Sequence, residues 1–189
     1  HGFEIILEQN SILDITQLPV DTSFKDFVVD QVLKRNDWTE MLVVMDMTGS
    51  MSPYIVQLFL WLQLNTLDDK VKQFAFFNDG DTQLDHEKVI GNTGGIYHTR
   101  SKIYEEIEEQ AIRCIVSGTG SDWQENDVEA LLKGMELCPN CKEHILIADN
   151  DSPMRDFRLL EKIKKPIRVI VCGATPEYGI NVEYLDLAR

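Results

Sequence analysis

The pattern of apolar and polar positions resolves, from about residue 41 onward, into buried strands alternating with helices. Met41-Leu42-Val43-Val44-Met45 is a continuous apolar run ending in Asp46, the mark of a strand covered on both faces. Residues 52–65 are apolar nearly all round, with Gln57 and Gln63 inside the run. They predict a buried helix with Pro53 in its first turn, where the missing N–H is harmless. Residues 73–77 predict a second strand, closed by the turn set Asn78-Asp79-Gly80-Asp81. Ile103, Ile107 and Ala111 fall at helical spacing. So do Val128, Leu131, Leu132 and Met135, behind an Asp122/Glu125 capping box. Residues 145–148 and 167–172 predict two more buried strands, with a polar helix over 153–164 between them and a last helix over 180–188.

Ahead of residue 41 the pattern is sparser. Residues 3–7 predict a short strand, and Phe24, Phe27, Val28 and Val32 predict an amphipathic helix over 24–34. Within 87–98, Val89-Ile90 and Ile96-Tyr97 read as short strand pieces around Gly94-Gly95. Strands alternating with helices imply right-handed crossovers and a sheet covered on both faces. The expected fold is therefore α/β: a doubly wound, mostly parallel central sheet flanked by helices. Residues 1–39 are expected to form an N-terminal strand/helix extension, and 40–189 the α/β domain proper.

Composition narrows the function. The 189 residues suit one well-buried core. A formal charge of -14 repels phosphate backbones and anionic membranes, which argues against nucleic acid as a partner and favours divalent cations and basic surfaces. The longest strongly apolar stretch, 54–64, is about half of what a bilayer crossing needs, so direct membrane insertion is not expected. A chain that opens His1-Gly2-Phe3 without Met reads as trimmed, so the lack of a visible leader says nothing about compartment. Cys114 and Cys172 sit in or beside apolar runs, as small buried side chains do. The Cys138-Pro139-Asn140-Cys141 spacing is compatible with zinc chelation, a small disulfide or plain loop thiols. Zinc would need two further ligands, and there is no second Cys pair. The pair leans towards an oxidising space, such as a bacterial cell envelope or the exterior.

Ligands of open α/β sheets collect at the carboxyl ends of the strands. Three such ends carry oxygen-bearing residues: Asp46-Met47-Thr48-Gly49-Ser50, the 117–122 stretch with Thr119 and Asp122, and Asp149-Asn150-Asp151. Carboxylates and hydroxyls are hard donors, suited to Mg²⁺, Mn²⁺ or Ca²⁺ rather than to zinc or copper. Spacing by two in Asp46, Thr48 and Ser50 lets a turning loop aim alternate side chains at one point. Each piece also has a plain structural reading. Ser50 or Ser52 caps a helix, Asp122 completes the capping box, and Asp149 forms a turn. It is their coincidence on three strand ends that points to a cation.

LVVMDMTGSM resembles the first loop of a von Willebrand factor type A domain, in which a buried strand runs into D-x-[ST]-x-S and a helix. GTGSDWQENDVEALL is similar to that family's second loop and helix, and ILIADND to its third strand and acid. The resemblance covers about residues 40–189. It implies a metal-ion-dependent adhesion site with Asp46, Thr48 and Ser50 from the first loop, Thr119 from the second and Asp149 from the third. Asp122 stands as an alternative to Thr119, and Asp151 to Asp149. The implied cofactor is Mg²⁺, or Mn²⁺ or Ca²⁺ in its place. The implied partner is a protein whose Asp or Glu carboxylate completes the coordination. The family's sheet ends on a strand with no counterpart after 180–188, so the domain is expected to stop short of it or to use residues 3–7 instead. The segment Thr93 to Tyr97 resembles that terminal strand yet sits mid-chain.

A rival resemblance, to haloacid dehalogenase-like phosphoryl-transfer enzymes, would make Asp46 a nucleophile and Asp149 and Asp151 its Mg²⁺ acids. Thr48 stands where those enzymes carry a second Asp, and only Lys133 and Lys142 precede the later acids. His86, His98 and His144 lie away from the three strand ends in sequence. A binding module, not an enzyme, is the expectation.

Overall fold

The computed structural model describes residues 14, 15, 18, 24–65, 70–118 and 123–189. The strand expected at 3–7 falls outside them, as do Thr119 and Asp122.

Among the described residues five strands form one sheet in the order β3-β2-β1-β4-β5. They are β1 (Met41–Asp46), β2 (Val71–Phe77), β3 (Ile96–Thr99), β4 (Glu143–Asp149) and β5 (Arg168–Cys172). β1, the most apolar run, takes the centre, and all six of its residues are buried. It pairs in parallel with β2 on one side and β4 on the other, and β5 extends the sheet in parallel beyond β4. β3 alone is antiparallel and forms an edge. The fold is α/β with a mixed, mostly parallel sheet.

Alternation along the strands builds two cores. Met41, Val43 and Met45 of β1 face a layer made by α1 (Val28–Arg35), α2 (Ser52–Leu64) and α3 (Tyr104–Ser117). Phe59, Phe74, Phe76 and Tyr104 cluster there, with Phe74 and Phe76 stacked at 5.9 Å between ring centroids. Leu42 and Val44 face the other layer, made by α4 (Asp127–Leu137), a 3₁₀ segment at Phe157–Lys162 and α5 (Val182–Leu187). Gly134 lets α4 approach β1 closely, since a Cβ there would lie 2.8 Å from a Leu42 methyl.

The apolar helix α2 packs against α1 in this layer. Its one buried polar residue, Gln57, bonds across the gap: Nε2 donates to Asp26 O at 2.8 Å, and Oε1 accepts from Asp30 N. α1 also packs on β5, and Ile15 is buried in the same core.

Several elements differ from the sequence reading. The helix expected over 24–34 begins only at Val28, and the polar helix over 153–164 reduces to the 3₁₀ segment. Val89-Ile90 forms no strand. The segment Thr93 to Tyr97 earns its position by feeding the antiparallel edge strand. Gly95, at φ +67°, tucks under the turn after β2, where a Cβ would collide with Asn78 Oδ1 and Gly80 N. Thr93 is anchored by Glu129 of α4, which accepts from its backbone N–H and its hydroxyl. Cys138 and Cys141 are joined in a disulfide at the end of α4, and Cys114 and Cys172 are free and buried. No helix among the described residues is long and apolar enough to cross a membrane.

Candidate metal centre

The chain leaves β1 through a turn that its own side chains organise. Asp46 Oδ1 accepts the N–H of Thr48 at 2.7 Å, which folds the backbone over the strand end. Ser52 Oγ donates to Gly49 O, starting α2. The hydroxyls of Thr48 and Ser50 lie 3.4 Å apart at the surface of this turn. Asp46 itself has no exposed surface, and its Oδ2 has no hydrogen-bond partner. Burial pushes its carboxyl well above the usual range, and the charges of Asp79 and Asp149 push the same way.

Asp149 ends β4, the strand beside β1, and is nearly buried. Its Oδ1 accepts the N–H of Asp151, a turn like the one at Asp46, while Tyr184 Oη donates to its backbone carbonyl at 2.8 Å. Asp151 is exposed. Asp46, Thr48, Ser50 and Asp149 therefore share one end of the sheet. Thr119 and Asp122, the second-loop candidates, lie outside the described residues.

The sequence reading missed a group of acids at this same end. Asp79 follows β2 in a run of left-handed residues, with φ of 65° at Asp79, 100° at Gly80 and 57° at Asp81. Asn78 braces that run: its Nδ2 donates to Cys114 O and Asp81 Oδ1, and its Oδ1 accepts from Asp81 N. Asp79 Oδ1 then accepts the N–H of Asn126 at 3.0 Å, pinning the start of α4. Glu125 and Asp79 lie close enough for their carboxyls to act on each other. Burial pushes both groups above the usual carboxylate range.

Glu125 also corrects the capping box. The helix starts at Asp127, and Glu125 instead lies against Met154 in an isolated parallel bridge. The cap comes from a distant residue. Asp156 is fully buried and accepts the N–H groups of Val128 and Glu129, and burial pushes its carboxyl up to about 7. Asp127 is fully buried with neither oxygen partnered. The only hint of all this in the sequence is the Glu125-Asn126-Asp127 triplet, whose polarity reads equally well as an exposed first turn.

Two cations lie near this group of acids. Arg155 pairs with Asp85 and donates to Gln124 O, and it acts with Lys88 on Asp79. Among the described residues, no three His, Cys, Asp or Glu side chains group as the direct donors of a metal, a count in which hydroxyls and water take no part. His86 and His98 are exposed, and His144 is buried as the second residue of β4, at the far end of the sheet. A bare buried carboxylate oxygen beside two hydroxyls, with further acids behind, is a donor set suited to a hard divalent cation. Comparison with protein-family models, with curated proteins and with solved structures gave no match for this chain.

Proposed function

We propose that the protein is a metal-dependent binding module of the von Willebrand factor type A kind, in which a divalent cation at the carboxyl end of the sheet accepts a carboxylate from a partner protein. The observation that carries the reading is Asp46 Oδ2, a fully buried carboxylate oxygen with no partner, at the end of the central strand. An ionised carboxylate in that state is costly unless a cation or a proton answers it. The hydroxyls of Thr48 and Ser50 would complete the near side, and Asp149 would stand across from them, each within reach of the ion or its waters. Thr119 is the second-loop donor that the family resemblance implies. Mg²⁺ is the preferred occupant, with Mn²⁺ and Ca²⁺ as substitutes, because hard oxygen donors select hard cations.

Charge explains why a metal is needed for this kind of recognition. A surface with a formal charge of -14 repels an acidic side chain, and a bound cation inverts the field at one point. Binding through a metal-held carboxylate needs no nucleophile. The complete burial of Asp46 and the engagement of its Oδ1 by Thr48 N also leave it poorly disposed to attack a phosphoryl group.

The test is thermal unfolding in MgCl₂, MnCl₂ or EDTA, with phosphate-ester hydrolysis measured alongside. The wild-type chain should be stabilised by about 2.7 kcal/mol at a cation concentration of about a hundred times Kd. Asp46→Ala should abolish that gain, with no hydrolysis by either protein. A wild-type midpoint indifferent to every divalent cation would end the proposal. Hydrolysis lost in Asp46→Asn would transfer Asp46 to the phosphoryl-transfer reading.

A further inference from the structure

Asp127 is the first residue of α4, has no exposed surface, and neither carboxylate oxygen has a hydrogen-bond partner. Its own helix offers little relief, since the N–H groups of Val128 and Glu129 are already taken by Asp156. Its neighbour Asn126 donates its N–H to Asp79 Oδ1, so the start of α4 is held against the end of β2, whose Phe77 pairs with Asp46, and burial with the charges of Asp156, Asp46 and Asp79 disfavours the ionised form of Asp127. Lys88 and Arg155 act on Asp79, and Arg155 is also paired with Asp85. Among the described residues neither oxygen of Asp127 meets a hydrogen-bond partner, and Asp46 Oδ2 is equally bare. An ionised acid bringing no structural bond of its own to a buried position is unfavourable to the fold unless a cation or a proton answers it.

We propose that Asp127 faces the same divalent cation as Asp46, from the α4 side and through a bridging water. The inference rests on the cation reading above and extends it to a residue that the family resemblance does not supply. Mg²⁺ keeps several of its waters when bound, and carboxylates that accept from those waters hold it indirectly. On this account α4 contributes a charge to the site as well as a wall.

The experiment is calorimetric titration of the full chain with MgCl₂ and MnCl₂, paired with thermal melts in EDTA, for wild type, Asp127→Asn, Asp127→Ser and Asp46→Ala. Asp127→Asn is expected to weaken cation binding about tenfold or more, in line with other groups that act on a metal through an intermediary. Its melting midpoint in EDTA is expected to equal or exceed that of wild type, because a repelled buried acid is gone. Asp127→Ser supplies the same comparison if the amide variant does not fold. A lower midpoint in EDTA with unchanged affinity would overturn the proposal, as it is the signature of a purely structural residue. Wild-type affinity retained in both Asp127 variants but lost in Asp46→Ala would sink it while sparing the cation reading. No binding by wild type would remove both.

Discussion

Where the strands begin, Glu40 lies at the surface between Lys72 and Lys142, and Arg168 reaches both Glu143 and the face of Trp38. Where they finish, Asp46, Glu125 and Asp127 are buried, and each has at least one oxygen with no partner. The same residue types thus behave in opposite ways at the two ends of one sheet. Opposite charges hold Glu40 below the usual carboxylate range, through hydrogen bonds to Lys72 and then Lys142. Desolvation holds Asp46, Glu125 and Asp127 above it. Paired surface charges contribute little to folding, whereas unpaired buried acids work against it. The second end is therefore where the fold gives up stability, and the first is where it is secured, with a disulfide closing the adjacent turn.

The sharpest test of this contrast is pH. An acid whose carboxyl is higher in the folded than in the unfolded chain favours folding below its unfolded value, and that contribution is lost as pH rises through the folded one. For Asp156, at about 7 in the fold, the window runs from about pH 4 to above pH 7, and the loss is on the order of 4 kcal/mol. Asp46, Glu125 and Asp127 shift in the same direction. Urea melts in EDTA should show stability falling from pH 5 to pH 8, with the gain from Mg²⁺ growing over the same interval as protons cease to compete. A metal-free stability that rises over that range would break the comparison.

A smaller effect belongs to the other end. Replacing Cys138 and Cys141 together by Ser reopens a very short loop, and should cost about 2 kcal/mol by the chain-entropy relation. Chemical denaturation at two pH values would measure it. The loss should be the same at both, and cation affinity should not change. A large fall in affinity would mean that the two ends are coupled. Smallest of all is Glu40→Ala, which should leave the urea midpoint within experimental scatter, because its ion pairs are exposed and screened. A clear destabilisation there would show that the paired end depends on its surface charges after all.

Much of the frame was legible from the chain alone. The apolar runs at 41–45, 73–77, 145–148 and 167–172 each became a parallel strand, because a run of four to six apolar residues is a strand's length and a sheet covered on both faces buries every one of them. The polar segment over 153–164 misled, because its helical spacing had too little apolar surface to hold more than a 3₁₀ segment. Asp46, Thr48 and Ser50 were readable because one loop carries all three. Asp79, Asp127 and Asp156 were not, because an acid in a sequence bears no mark of being buried.

What the sequence determined by itself was periodicity: which residues alternate, which therefore lie in a sheet, and that an acid ends the central strand. Such patterns are local, fixed by a repeat of two or of 3.6 residues. Only the tertiary structure decided that β3 turns back antiparallel, that α4 is capped by Asp156 instead of its own first turn, and that four distant acids meet behind Asp46. Those outcomes follow from how helices pack across the sheet, where contact is made between residues far apart in the chain and local preference gives way to burial.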